Sequence, residues 1–160
     1  MEIQDYYVSF EIAKLLKEKG FDERCQKVYM HNGQLLWAQL FMEGESFVNN
    51  KDIELVANYD DWITYTQGDY AYLCPTLQMA LTWFRKSHNI YIYATPWYHE
   101  EEDPLKKGEY NPILDGWGYN TSNLTTNAVI AESDEDNLYS TPEQACEAAI
   151  KYHLENLELL

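Results

Sequence analysis

Residues 77–95, LQMALTWFRKSHNIYIYAT, decide the fold of this 160-residue chain, because the spacing of their apolar residues changes partway along. The first twelve residues place apolar side chains at helical spacing. Asn89 follows them and favours the left-handed conformation that ends a helix. In the last six residues, aliphatic side chains alternate with tyrosine and threonine, which is typical of a strand with one buried face. The segment therefore predicts a helix at 77–88 and a strand at 90–95.

Two more helices are predicted by the residues that begin and end them. Ser9 is a suitable N-cap for a helix over 10–19, and Gly20 can take the left-handed conformation that stops it. Thr141 and the proline after it start a helix that runs to about residue 157. Both helices carry an apolar stripe at helical spacing, so we expect each to pack on a sheet.

Strands are predicted between these helices. Asn32-Gly33 lies between two apolar runs, 27–31 and 34–40, and predicts a β-hairpin. Residues 70–73 predict a strand that precedes the helix 77–88. Weaker patterns indicate a strand that contains Trp117 and Tyr119, a strand at 124–131, a short helix at 52–58 and a turn at 67–69.

Together these elements predict a single α+β domain over residues 1–160. A mostly antiparallel sheet of about four to six strands is covered by two or three helices, because each apolar helix stripe must be buried against another element. The length suits one domain. Residues 41–69 match the patterns least well, and we interpret them as a possible variable insertion.

Acidic residues outnumber basic ones by more than two to one. The chain has 27 Asp and Glu, 11 Lys and Arg, and a formal net charge of −16 at pH 7. The first 40 residues hold six acids and five bases, so almost all of the excess lies in residues 41–160. Such a surface repels phosphate groups, which disfavours direct nucleic-acid binding through a basic face.

The sequence also predicts the cellular location of the protein and the state of its cysteines. No apolar stretch is long enough to cross a bilayer, and the first residues lack the basic and apolar segments of a signal peptide. We therefore expect a cytoplasmic protein that does not bind membranes. Cys25, Cys74 and Cys146 are odd in number and widely spaced, which argues against a disulfide framework and a structural zinc site. Buried or half-buried free thiols are expected instead.

The densest polar cluster is HEEED at residues 99–103. It resembles the HExxH motif of metalloproteases but has an aspartate in place of the second histidine. Pro96 and Pro104 flank the cluster and predict a solvated loop, whereas such a metal site needs a helix. Gly116-Trp117-Gly118 is a lone GxG and not a dinucleotide-binding fingerprint. The sequence therefore predicts no metal site, no cofactor and no catalytic residues.

Aromatic residues supply the candidate interaction surface. Tyrosine and tryptophan anchor many protein interfaces, and their rings also stack on bases and sugars. A second layer of the fold that covers the same sheet face is an alternative interpretation. The candidate residues are Tyr91, Tyr93, Trp97, Tyr98, Trp117 and Tyr119.

Three blocks of sequence resemble a known group of proteins. They are SFEIAKLLKEKGFDE at 9–23, PTLQMA with Trp83 and HNI within 75–90, and STPEQACEAAI at 140–150. In these blocks the chain resembles short uncharacterised Bacteroides-type proteins, many of them associated with phages or prophages. The resemblance implies a phage-related context and no particular chemistry.

Three functional hypotheses follow. The leading one is a non-enzymatic, phage-related accessory protein that acts as a protein-interaction module, with an unidentified protein partner and possible oligomers. The second is an acidic mimic of nucleic acid that inhibits a DNA-binding protein, motivated by the excess charge of residues 41–160. The third is a carboxylate-dependent hydrolase, which needs His99 and two acids to converge on one pocket.

Overall fold

The computed structural model describes residues 6–60 and 69–157. Within them the chain forms five helices and six strands, and it divides into two compact units, residues 1–80 with 154–160 and residues 81–153. The predicted α+β class is confirmed. The strands form two antiparallel three-stranded sheets, one in each unit, a division that the sequence did not predict. The predicted turn at 67–69 lies largely outside the described residues.

The first unit is built on a sheet with strand order β2-β1-β3. Helix α1 packs on this sheet through Phe10, whose ring lies 5.4 Å from that of Tyr29 and 5.7 Å from that of Tyr72. The elements of this unit are α1 (Phe10–Glu18), β1 (Lys27–Met30), β2 (Leu35–Trp37), α2 (Ala38–Phe41), α3 (Asn50–Tyr59), β3 (Ala71–Cys74) and the start of α4 (Leu77–His88).

Helix α1 begins and ends where the sequence predicts. The Ser9 hydroxyl accepts the Ile12 N–H at 3.3 Å and caps the first turn. At the other end Gly20 has a φ of 90°, and its N–H donates to the Lys17 carbonyl. The Phe21 N–H then donates to the Leu16 carbonyl at 2.9 Å. These two bonds form a Schellman motif, which also buries the phenylalanine side chain.

The predicted hairpin at Asn32-Gly33 is present, but its second strand is shorter than expected. The Gly33 N–H donates to the Met30 carbonyl, and Gly33 takes a φ of 89°, so the turn closes over three residues. Strand β2 ends at Trp37, and the predicted strand residues after it form α2 instead. The prediction of a strand over all of 34–40 was therefore wrong.

Residues 41–60 contribute to the core of the first unit. The predicted short helix at 52–58 is confirmed and extends to Asn50–Tyr59, where Asn49 and Asp52 form a reciprocal capping box. Val48 and Ile53 are fully buried. The Val48 backbone exchanges two hydrogen bonds with that of Cys25. This segment therefore packs as a structural part of the unit.

The second unit contains most of α4, whose observed bounds equal the predicted 77–88, and a sheet with strand order β4-β5-β6. Asn89 has a φ of 57°, as its predicted role as a helix stop requires. Ile90 and Ile92 are buried, whereas Tyr91 and Tyr93 are exposed, which confirms the alternation read from the sequence. The elements are β4 (Ile90–Glu102), β5 (Tyr110–Asn123), β6 (Val129–Glu132) and α5 (Pro142–Asn156).

Two strands of this sheet differ from prediction. Strand β4 continues to Glu102, so the prediction of a loop at 99–103 was wrong. Pro96 does not stop it because β4 is an edge strand, where a missing N–H need not break the ladder. Strand β6 begins only at Val129, because residues 124–127 form a turn in which Asn127 donates to the Asn123 carbonyl. The predicted strand at 124–131 is thus confirmed only in its second half.

Helix α5 packs on the sheet through a buried polar chain. The Thr121 hydroxyl donates its single proton to the Ala131 carbonyl at 3.1 Å, so it accepts from the His153 Nε2–H at 2.9 Å. Both side chains are fully buried, and His153 Nδ1 has no hydrogen-bond partner among the described residues. Burial lowers the pKa of His153 to about 4, so the imidazole is neutral at pH 7.

The three cysteines are free and buried, as expected. Burial raises the pKa of the Cys25 and Cys146 thiols, which makes both poor nucleophiles. None of the helices in the described ranges is long and apolar enough to cross a lipid bilayer.

Replacement of Gly20 by alanine should lower the free energy of unfolding by about 1 kcal/mol, because a Cβ is strained at positive φ. No atom lies within 4 Å of that Cβ, so backbone strain is the only cost. Urea denaturation measures the loss. Gly20→Asn is the matched control and should lose less, since asparagine tolerates this conformation. Equal stability of Gly20→Ala and the parent would contradict the role given to Gly20.

Acid should destabilise the protein through His153. The pKa of His153 is lower in the folded state than in the unfolded state, so its contribution is full above pH 6.5 and falls as pH drops towards 4. The loss should reach about 3 kcal/mol. His153→Gln can still donate to Thr121 but cannot titrate, so its urea stability should fall less between pH 7 and 4. His31→Gln, at an exposed site, controls for removal of a histidine. A pH profile of His153→Gln that matches the parent would refute the assignment.

Candidate interaction surface

The register between β4 and β5 assigns their side chains to two faces, since directly paired residues share a face. Ile92 pairs with Thr121, and helix α5 packs on this covered face through His153. Tyr93 pairs with Asn120 on the opposite, exposed face. This exposed face comprises Tyr91, Tyr93, Thr95 and Trp97 of β4 with Gly116, Gly118, Asn120 and Ser122 of β5, and within it Gly116 and Gly118 are buried.

Three of the six predicted surface residues line up on the exposed face, and we call them the aromatic row: Tyr91, Tyr93 and Trp97. Their exposed fractions are 41%, 41% and 37%. The two tyrosine rings stack with centroids 5.3 Å apart and an angle of 29° between their planes. Side chains that are partly held by each other and partly open to solvent are suited to contact a partner.

The backbone against which Trp97 packs needs a glycine at position 118. A Cβ added to Gly118 would lie 2.6 Å from Nε1 of Trp97 and 2.5 Å from Oγ of Ser133, closer than van der Waals contact allows. The Ser133 hydroxyl is itself fixed, because it accepts the Tyr119 N–H at 2.8 Å. The indole of Trp97 therefore lies directly against the strand and cannot turn into the sheet.

The other three predicted residues are placed elsewhere. Tyr119 pairs with Ala94 and Trp117 with Pro96, so both lie half-buried on the covered face. Tyr98 also belongs to that side by alternation, but it lies beyond the end of the covered region and is 57% exposed. The structure thus does not gather the six aromatic residues on one face.

Beyond Trp97 the two strands project as a hairpin that we call the arm, residues 98–115. The register shifts between Trp97 and Tyr98, because Asp115 is an extra residue of β5 that has no partner on β4. All residues of the arm are exposed except Asp103, which is half-buried. The arm was not predicted from the sequence, because the arm contains no buried positions and so shows no alternation of apolar and polar residues.

The tip of the arm is held by local hydrogen bonds. The Asp103 N–H donates to the Glu109 carbonyl at 2.8 Å, and the Asp103 carboxylate accepts the Leu105 N–H at 2.8 Å. The Glu102 carboxylate accepts the Gly108 N–H at 2.9 Å. An isolated two-stranded hairpin is only marginally stable, so these bonds are needed to keep the arm in one shape.

One side of the arm carries acids beside apolar residues, and we call it the acidic–apolar face. Tyr98 pairs with Leu114 at the base of the arm. Further out, acids of β4 pair with apolar residues of β5, and the face consists of Tyr98, Glu100, Glu102, Tyr110, Pro112 and Leu114.

His99 lies on the opposite side of the arm between two carboxylates. Its Nε2–H donates to Glu101 at 2.9 Å and its Nδ1–H to Asp115 at 2.5 Å. The hydrogen bond to Glu101, followed by that to Asp115, raises the pKa of His99, because both favour the imidazolium. The bond to Asp115 joins β4 to the bulge of β5, so the ion pair also braces the base of the arm.

This geometry does not suit His99 as a general base. Both nitrogens of His99 donate to carboxylates, so neither is free to accept a proton from water or a substrate. The side chain is 44% exposed on an extended strand. Within residues 6–60 and 69–157, no group of three histidine, cysteine or acidic side chains is arranged to hold a metal ion.

Three cavities in the described regions do not include His99 in their lining. One, about 510 Å³, belongs to the first unit and has no ionisable side chain in its lining. A second cavity of the first unit, about 440 Å³, contains Glu43 and Asp60 but no histidine. A small cleft of about 240 Å³ at the arm tip is lined by Glu102, Asp103, Pro104 and Lys107. None of the three brings a histidine together with acids.

Comparisons with protein-family models, curated proteins and solved structures found no match to this chain.

The pKa of His99 should lie above 6.5 when it is measured by NMR titration of the ring protons. Asp115→Asn and Glu101→Gln should each lower it, because each removes an anionic acceptor. Glu100→Gln is the matched control: it removes a neighbouring charge that faces the other side of the arm, so its effect should be smaller. The ion pair stabilises the fold below pH 6.5, and this contribution is lost as pH rises through the raised pKa of His99. A pKa that none of the variants moves would contradict the geometry.

Proposed function

We propose that this protein is a non-enzymatic protein-interaction module that contacts its partner through the aromatic row. The observation that carries the proposal is the exposure of Tyr91, Tyr93 and Trp97 on the sheet face opposite helix α5. The core of the unit uses the aliphatic face of β4, so these aromatic side chains are not needed to bury it. Large rings held near the surface are the side chains that contribute most to protein interfaces.

The structure of the row favours a protein partner. The stacked tyrosines and the indole against Gly118 are already ordered, so binding would lose little side-chain entropy. Asn120 donates to the Thr95 hydroxyl at 2.8 Å and lies beside the row, where its remaining groups can bond a partner backbone. The excess negative charge opposes nucleic acid as the ligand of this surface.

The remaining parts of the proposal rest on the sequence. A phage-related accessory role is what the resemblance of the three sequence blocks implies, and a cytoplasmic location is a further part of the proposal. The hydrolase hypothesis gains no support, because His99 has both nitrogens engaged and lies outside the cavities described above. Mimicry of nucleic acid stays a prediction, and salt dependence of partner binding tests it.

Substitution of the aromatic row should weaken partner binding. Tyr91→Ala and Tyr93→Ala should each weaken it by about tenfold or more, since truncation of an interface anchor costs about 2 kcal/mol. The protein would be tagged, used to capture partners from cells of its native host, and titrated with the recovered partner by calorimetry. Leu124→Ala, at an exposed apolar site of the same unit that belongs to no strand of this face, is the matched control.

Two results would overturn the proposal. One is a partner that binds the Tyr91→Ala and Tyr93→Ala variants as tightly as the parent, when both variants keep the thermal midpoint of the parent. The other is a reproducible turnover activity that one substitution in a cleft abolishes. Binding that weakens steeply with salt, to a partner that itself binds DNA, would instead favour the nucleic-acid mimic.

A further inference from the structure

We propose that the acidic–apolar face of the arm binds a basic segment of a partner protein, in which arginine or lysine lies next to aromatic or aliphatic side chains. The proposal rests on the proposed function, because it names a second surface of the interaction module and the chemistry of its partner. It concerns residues that the aromatic row does not include.

The apolar half of this face is too exposed to serve the protein's own core. Tyr98, Tyr110 and Leu114 are 57%, 59% and 47% exposed. Tyr98 and Leu114 are directly paired, and Pro112 lies between Leu114 and Tyr110 along β5. A partner that covered these side chains would bury apolar surface that folding has left in water, which is the main favourable term in association.

Among the described residues, the carboxylates of Glu100 and Glu102 form no ion pair, although Lys107 lines the cleft at the arm tip with Glu102. Lys106 pairs with Glu109 at 3.5 Å. The Glu102 carboxylate accepts the Gly108 N–H. The arm holds six carboxylates and two lysines. Glu100 and Glu102 lie about 7 Å apart on one side of β4, so they form a short acidic row beside the apolar one.

The negative charge of the acidic–apolar face indicates which kind of molecule binds it. A second copy of the chain would bring together two proteins of net charge −16 and oppose one acidic row to another, so self-association through this face is disfavoured. A basic segment neutralises the row. Arginine suits it best, because a guanidinium binds carboxylates in a bidentate manner and stacks on tyrosine rings such as those of Tyr98 and Tyr110.

The arm is ordered before a partner arrives. Asp103 and Glu102 fix the tip through backbone N–H groups, and His99 joins the strands at the base through Asp115. A surface that already has its bound shape loses little conformational entropy on binding. The hydrogen bonds of the arm therefore make the exposed hairpin usable as a docking element.

The probe for this proposal is a display library of random 12-residue peptides, selected on the full-length protein at about 50 mM salt. We expect the enriched peptides to contain several arginines or lysines beside aromatic or aliphatic residues. Their affinity, measured by fluorescence anisotropy, should fall about tenfold or more in the double variant Glu100→Gln with Glu102→Gln, and also in Leu114→Ser. It should also fall as salt rises, because the contacts include exposed charges.

Matched controls separate this face from other acidic and aromatic sites. Glu101→Gln removes one carboxylate from the opposite side of the arm and should leave peptide affinity within about twofold of the parent. Tyr91→Ala, in the aromatic row, should do the same. Thermal midpoints of all variants verify that the fold is kept.

Enriched peptides without basic residues would overturn the inference. Peptides whose affinity is the same for the parent and the arm variants would also overturn it, and so would a selection that enriches no peptide. Sedimentation showing a dimer that Leu114→Ser dissociates would replace the basic segment with a second copy of the chain. If the natural partner binds through the aromatic row and its affinity is unchanged by every arm variant, the inference fails while the proposed function stands. If the partner ignores the row as well, both fail.

Discussion

The antiparallel ladder between β4 and β5 is the constraint on which the second unit depends. Because side chains alternate along a strand, the register that buries Ile90 and Ile92 also directs Tyr91 and Tyr93 to the opposite side. A shift by one residue would exchange the two sets and bury tyrosines in place of isoleucines. The aromatic row is therefore as firmly specified as the core, although it contributes little to that core.

The bulge at Asp115 divides this ladder into two parts with different tasks. On the side of the bulge that contains Ile90 and Ile92, the strands have a covered face and take part in the core of the unit. On the other side lies the arm, which buries almost no side chain and must be held by its own hydrogen bonds. The extra residue brings the Asp115 carboxylate to His99, so the same irregularity that ends the covered region also braces the start of the arm.

Local features of the sequence predicted local structure well. The ends of α1 and α4 depend on Ser9, Gly20 and Asn89, whose side chains or φ angles act within a few residues, and these predictions are confirmed. The length of β4 could not be read in this way. Residues 98–102 are exposed on both sides, so they show no alternation, and Pro96 and Pro104 indicate a loop unless the strand is known to lie at an edge. The division into two sheets depends on pairings between distant residues, which no local pattern encodes.

The candidate surfaces were predictable to a different extent. The aromatic row could be found, since Tyr91 and Tyr93 lie opposite isoleucines in an alternating segment, but Trp117 and Tyr119 could be placed only from the pairing with β4. The acidic–apolar face could not be found, because its members come from two strands and meet only through the register. An ordered hairpin that buries no core gains little stability from its apolar side chains. Exposed tyrosine and leucine next to these carboxylates are the side chains that the proposed contact with a basic segment would cover.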